Sequence, residues 1–199
     1  MKKWLIPVGI IVVLIIIIIA WSSGIYNSAV DREATAQQTW ADVESSYQRR
    51  NDLIGNLVNT VQGAAEFERG TLTDVIEARS KATSVNVDAS NLNPEQMEQF
   101  RAAQGEVSSA LSRLLVTVER YPDLKVNQNF LNLQSQLEGT ENRINVARNR
   151  YNEAVTEYNR YIRRFPNNIF VGFYGFDEMP LYQADEGSED APEVDFNFE

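Results

Sequence analysis

Apolar side chains are distributed along the chain in three regimes. From Trp4 to Trp21 there is no ionisable residue, and Ile10 to Ile19 is an unbroken run of Ile, Val and Leu. Eighteen residues of helix rise about 27 Å, close to the roughly 30 Å hydrocarbon core of a bilayer. A helix also satisfies its own backbone hydrogen bonds, so the segment reads as a transmembrane anchor passing through Ile10 and Ile15, with Trp4 and Trp21 at the two interfaces. A cleaved signal peptide is the competing reading, with Ala20 and Ser22 around a cut. The apolar run outlasts the roughly 7–15 residues usual for such peptides.

After the anchor the apolar positions thin to a helical stripe. The clearest begins at Val126 and steps by four and three through Phe130, Leu133, Leu137, Thr140, Ile144, Ala147, Tyr151, Ala154, Tyr158, Tyr161 and Phe165, stopping before Pro166. It predicts one helix of about 40 residues, roughly 60 Å long. A shorter stripe follows the start signal Asn93-Pro94-Glu95-Gln96 and runs through Met97, Phe100, Gln104, Val107, Leu111, Leu114, Val118 and Tyr121. Pro122 and Asp123 then make a corner that should fold the two helices antiparallel.

Upstream, Trp40, Val43, Tyr47, Ile54, Leu57, Val61 and Ala64 form a seam that Leu72, Val75 and Ala82 continue after one inserted residue. This helix could run unbroken to about Ser84, since Gly63 and Gly70 cost only about 1 kcal/mol each. Residues 85–92 read as a loop. The mixture of aromatics and glycine in Phe170, Gly172, Phe173, Tyr174, Gly175 and Phe176 fits no helical period and suggests packing over one end of the bundle. The expected fold is therefore all-α: an anchor over residues 1–24, an antiparallel up-and-down bundle over 25–183, and a tail over 184–199. Three long helices and a fourth side, from a broken first helix or from residues 169–182, would close the bundle.

Charge sharpens the picture. The formal net charge is -10, and nine acidic residues (Asp177, Glu178, Asp185, Glu186, Glu189, Asp190, Glu193, Asp195 and Glu199) account for most of it. The remainder is nearly neutral, with no clustered basic face for nucleic acid. The tail is too poor in apolar residues to offset ordering entropy and reads as disordered. Lys2 and Lys3 precede the anchor, whereas Asp31, Arg32 and Glu33 follow it, so the positive-inside rule places the N-terminus in the cytoplasm and the bundle outside.

Chemistry is notable for what is missing. With no Cys and no His, disulfides, thiol catalysis, Ser-His pairs and His-bearing di-metal sites are excluded, and no phosphate-binding glycine motif occurs. No cofactor or metal ligand set is expected, and the chain reads as a non-enzyme. The sharpest polar feature is a set of charged and amide residues on or beside the seams: Arg49, Arg50, Asp52, Glu68 and Arg79 upstream, and Glu141, Asn142 and Arg143 on the last helix. Such residues either recognise a partner or, as polar seam positions do in coiled coils, fix register; the second reading is the expectation. Tyr151, Tyr158 and Tyr161 read as core side chains with hydroxyls reaching a helix edge, and Asn152 and Asn159 as solvated or capping neighbours.

Several of these pieces, in this order, resemble the LemA family of bacterial membrane proteins: Arg49-Arg50-x-Asp52-Leu53-Ile54-x-Asn56-Leu57-Val58, Glu77-Ala78-Arg79, Tyr121-Pro122-Asp123-Leu124-Lys125, Thr140-Glu141-Asn142-Arg143-Ile144, Ala147-Arg148-x-x-Tyr151-Asn152 and Phe165-Pro166. The resemblance implies four antiparallel helices behind a single-pass anchor in a bacterial cell membrane, the inner one in a Gram-negative cell. Gly55 stands where the family commonly has Pro, and Phe67 where it commonly has His. Members are often encoded near membrane proteases or other membrane proteins, which hints at partnership. The function expected is a membrane scaffold that self-associates or docks another membrane protein, or an adaptor for a membrane enzyme such as a protease.

Overall fold

The computed structural model describes residues 4–63, 68–89 and 92–183. Lys2, Lys3, Ala64, Phe67 and the whole acidic tail, to which several of the expectations above apply, lie outside them. The described chain is all-α. In order, the helices are α1 (Leu5–Gln62), α2 (Arg69–Ser84), α3 (Pro94–Val118), the single turn α4 (Pro122–Lys125), α5 (Gln128–Arg163) and α6 (Asn167–Tyr174).

The apolar run and the first bundle seam belong to one helix. α1 spans 58 residues, roughly 87 Å of rise. Pro7 sits in its opening turns, where the missing amide hydrogen is not needed, and no proline follows until Pro94. Gly24 is accommodated without a break. Residues Ile10 to Ile19 are all half or more exposed except Val12 at 48%, as suits a lipid-facing segment. Beyond Trp21 the helix becomes one-sided, burying Ile25, Ala29, Ala36, Trp40, Val43, Tyr47, Ile54, Leu57 and Val61.

The helix does not continue to Ser84. α1 ends at Gln62, and α2 begins after Glu68, whose backbone is extended. This break supplies the fourth helix of the bundle. Glu68 consequently sits exposed at the start of α2, off the seam, because the helical phase restarts there.

Directions alternate. Tyr161 of α5 donates to the Ile25 carbonyl at 3.3 Å, while Glu141 meets Arg50, so α5 descends as α1 rises. Between α2 and α3, Lys81 pairs with Glu106, Asp74 with Arg113 and Glu68 with Arg120 at 2.6, 3.7 and 3.4 Å, again antiparallel. These pairs are exposed and record the register more than they hold it. The most extensive helix pairs are α1 with α5 and α2 with α3, while α4 bridges α3 to α5.

The caps are local. The Asn93 side chain accepts from Gln96 N at 2.9 Å ahead of Pro94, and that of Asn127 accepts from Asn129 N and Phe130 N at 2.9 and 3.2 Å. Asn127 thus starts α5 just after Val126, which is 74% exposed and not in the core. At the other end the buried row runs Tyr151, Val155, Tyr158, Ile162, and Phe165 is 76% exposed. A strict heptad stripe would have buried Ala154 and Phe165; a straight helix of 3.6 residues per turn drifts about 20° per heptad away from it. The glycine-rich aromatic segment is also helical in its first part: α6 closes on Gly175, whose φ of 75° is left-handed and open to glycine without strain. Residues 176–183 are then extended along α5.

Two buried clusters result. The membrane-proximal one gathers Trp40, Tyr47, Phe100, Tyr151, Tyr158 and Tyr182 with Met97 and Met179. The distal one is aliphatic, with Ile54, Leu57, Val61, Leu72, Val75, Leu111, Leu114 and Leu137 around Phe130.

Candidate functional site

A polar layer sits between the two clusters, centred on Arg50. Its position follows from the seam: one turn after Tyr47 and one before Ile54, it must point inward, and it is 2% exposed. The guanidinium donates from one terminal nitrogen to Ser108 Oγ at 3.0 Å and Glu141 Oε1 at 3.1 Å. The other donates to the Gln104 carbonyl at 3.2 Å and Gln104 Oε1 at 2.6 Å. Its carbon lies 4.8 Å from the Tyr47 ring centroid. One side chain therefore ties α1 to α3 and α5. Glu141 is 44% exposed, so the counter-charge stays in contact with water and the pair avoids the full desolvation cost of a buried bridge.

The remaining polar seam residues are not gathered there. Arg79, half-buried, donates from Nε to the Asn51 carbonyl at 2.7 Å, lying across Gly55, where an added Cβ would meet its guanidinium at 3.2 Å. Asp52 lines an open groove beside it with Gly55, Asn56 and Arg79. Asn142 and Arg143 line another between α1 and α5, and Arg49 is exposed. Glu68 pairs with Arg120, just beyond the end of α3.

A second construction was not foreseen from the sequence. Tyr151-Asn152 and Tyr158-Asn159 repeat one heptad apart on α5, and both dipeptides grip the extended segment by its main chain. Asn152 donates to the Tyr182 carbonyl at 2.9 Å and accepts from Tyr182 N at 2.8 Å. Asn159 does the same with Met179, at 2.8 and 3.0 Å. Tyr151 and Tyr158 donate to the carbonyls of Pro180 and Asp177 at 2.7 and 2.9 Å. Arg148 donates to the Gln183 carbonyl at 3.2 Å and stacks over Tyr182, whose hydroxyl lies 2.8 Å from that of Tyr47.

The two asparagines are thus brackets for a strap and not solvated neighbours. An amide side chain offers one donor and one acceptor, which is what an extended residue needs. The repeated Tyr-Asn dipeptide was the available signal. Burial pushes the Tyr47, Tyr151 and Tyr158 phenols well above the usual range for tyrosine.

Neither construction has the layout of a reaction centre. No group of His, Cys, Asp or Glu able to hold a metal occurs among the described residues. Arg50 and the strap residues are engaged in holding helices and backbone together.

Comparison with known proteins bears on most of the chain. The sequence model of the LemA family matches residues 39–196. Magnetosome protein MamQ 2 of Paramagnetospirillum magneticum is 25% identical over 79% of this chain and 64% of its own length. Magnetosome protein MamQ of Magnetospirillum gryphiswaldense is 23% identical with the same coverage. Protein LemA of Metamycoplasma hominis is 24% identical over 51% of this chain and 43% of its own. The chain thus spans a little under two thirds of the magnetosome relatives.

Proposed function

The chain belongs to the LemA family, and on that premise we propose that it is a non-enzymatic scaffold, held in the membrane by the apolar half of α1 and working by self-association or by docking other membrane proteins. The observation that carries this reading is the continuity of α1 from the lipid-facing run into both buried clusters. A bundle on one unbroken helix stands at a set height, so copies in one membrane present their faces at the same level. Confinement to a membrane also raises their effective concentration. The names of the family and of the relatives are not enzyme names.

The anchor makes the protein membrane-associated; the finer topology proposed is single-pass in a bacterial cell membrane, with the N-terminus cytoplasmic and the bundle outside. Size measurement on the intact anchored chain in lipid discs tests the scaffold. The expected outcome is more than one copy per particle or a co-purifying membrane protein. A strictly monomeric chain that recovers no partner on crosslinking overturns it.

One observation favours an adaptor as a second reading. The strap delivers the chain to Gln183 on the flank of α5, beside Arg148, where the acidic residues 184–199 begin. An adaptor could use that tail to recruit a membrane enzyme such as a protease. Deleting residues 185–199 separates the two: a scaffold still assembles, and an adaptor loses its partner.

A further inference from the structure

The membrane-proximal end of the bundle carries apolar surface that the bundle itself does not cover. Phe165 is 76% exposed, Ile169 50% and Phe173 86%. Ile169 and Phe173 are one helical turn apart on α6 and share a face with Gly172. The opposite face packs inward through Phe170, Val171 and Tyr174.

Three contacts fix where this helix lies. Trp21, at the end of the apolar run, meets Phe170 edge to face with ring centroids 5.9 Å apart. The hydroxyls of Ser22 and Tyr174 are 2.6 Å apart. Tyr161, just before α6, reaches the Ile25 carbonyl. The end of α5 and the body of α6 therefore flank the first turn of α1 beyond Trp21, a rise of about 6 Å. A bilayer is roughly 40–45 Å thick with its head groups and 30 Å without, which leaves a head-group layer of about 5–8 Å on each side. With Trp21 at the boundary of the hydrocarbon, these side chains lie within that layer.

A cationic surface adjoins the apolar one. Arg160, Arg163 and Arg164 are exposed and line an open groove of about 460 Å³ with Thr156, Asn159 and Leu181. Arg163 lies 3.5 Å from Glu178, with both side chains more than half exposed. Arg160 and Arg164 have no carboxylate partner among the described residues. A guanidinium fork matches two phosphate oxygens at once and is the group suited to a phosphodiester head group.

We propose that α6 is an interfacial foot: Phe165, Ile169 and Phe173 enter the boundary between head groups and acyl chains, while Arg160, Arg163 and Arg164 bind the phosphates of anionic phospholipid. The occupant is the bilayer in which the chain's own anchor sits, because the inner face of α6 packs on the end of that anchor, Phe170 against Trp21, and so holds the exposed face at the same level. This rests on the N-terminal segment crossing the bilayer and is independent of scaffolding. A single transmembrane helix can tilt in the bilayer and carry its bundle with it; a second attachment beside it restrains that tilt.

The absence of cysteine makes the test direct. A nitroxide on Phe173→Cys in the full chain, placed in phosphatidylcholine discs with or without phosphatidylglycerol, is compared with one on Val116→Cys, 71% exposed on α3. At 173 the label is expected to lose collisions with an aqueous nickel chelate and gain them with dissolved oxygen, while the label at 116 does the reverse. Phosphatidylglycerol should deepen the shielding, and the combined substitution Arg160→Gln, Arg163→Gln and Arg164→Gln should erase that gain at unchanged helix content. A label at 173 as open to the chelate as the one at 116 overturns the foot. One closed to both reagents also overturns it, since a second protein copy would then cover the face. Shielding indifferent to phosphatidylglycerol overturns the role of the arginines.

Discussion

The two buried clusters are built on one helix from different amino acids. Around Leu57 and Leu114, four helices surround the core and satisfy their own backbones, so Leu, Ile and Val suffice. Around Trp40 and Tyr151, α2 has already ended and α3 has barely begun, and the missing walls are the loop after α2 and the extended strap. Non-helical backbone buried there needs hydrogen-bond partners. Tyrosine and asparagine supply them while tyrosine also fills volume. Where helices run out, a core with polar tips lets the chain bury irregular backbone, and Arg50 marks the boundary between the two regimes.

Removing the largest side chain is the strongest challenge to that contrast. Trp40 is fully buried and meets Phe100 and Tyr151 edge to face, so Trp40→Ala should cost about 3–5 kcal/mol in thermal or denaturant unfolding. Hydrogen exchange should rise in residues 36–47 ahead of residues 54–61. Equal loss of protection in both would mean that the clusters open as one unit and the contrast is only compositional.

Arg50→Leu should cost about 2–3 kcal/mol, below the largest values for a broken buried pair because Glu141 remains in contact with water. Adding Gln104→Leu should recover part of it, since the orphaned amide goes too. A cost under the error of the measurement would show that the polar layer does not couple α1 to α3.

Asn159→Ala removes two hydrogen bonds to Met179, together about 2 kcal/mol, and should expose 177–183 to proteolysis with the distal cluster unchanged.

Alkaline titration should act on the same side of the boundary. Tyr47, Tyr151 and Tyr158 have folded pKa values raised above that of an unfolded tyrosine. Above about pH 10 the unfolded chain therefore binds fewer protons than the folded one, and stability falls as pH rises. The absorbance change of tyrosinate should accompany loss of the membrane-proximal cluster, and Tyr151→Phe should weaken the dependence. The smallest effect is expected at Gly55→Ala, where about 1 kcal/mol of helix propensity is offset by displacing the Arg79 guanidinium. A net change within about 0.5 kcal/mol of zero would show that the Arg79 guanidinium can shift to make room for the methyl group.

Legibility in the sequence tracked the range of the interactions. The anchor needs only composition, and α3 announces itself through Asn93 and Pro94, so both were readable. The end of α1 was not, because Gly63 and Gly70 are tolerable in a helix and the decision rests on tertiary packing of Leu72 and Val75. α5 was found, but its heptad template lost phase beyond Tyr151. Arg50 could be placed on the seam but not given its partners on α3 and α5. The strap was not legible because it is gripped mostly by its main chain, which imposes no periodic pattern on its side chains; the traces it left are the buried Met179 and Tyr182 and the repeated Tyr-Asn on the recognising helix.

That repeat also sets a pitch. Asn152 and Asn159 are two helical turns apart, about 10.5 Å along the axis, and Met179 and Tyr182 are three extended residues apart, about 10 Å. Helix and strap are two rulers whose graduations coincide once per seven residues on one and once per three on the other. The strap cannot creep along α5 by a single residue without emptying both brackets. Its length and phase are thus metered by the helix beneath it.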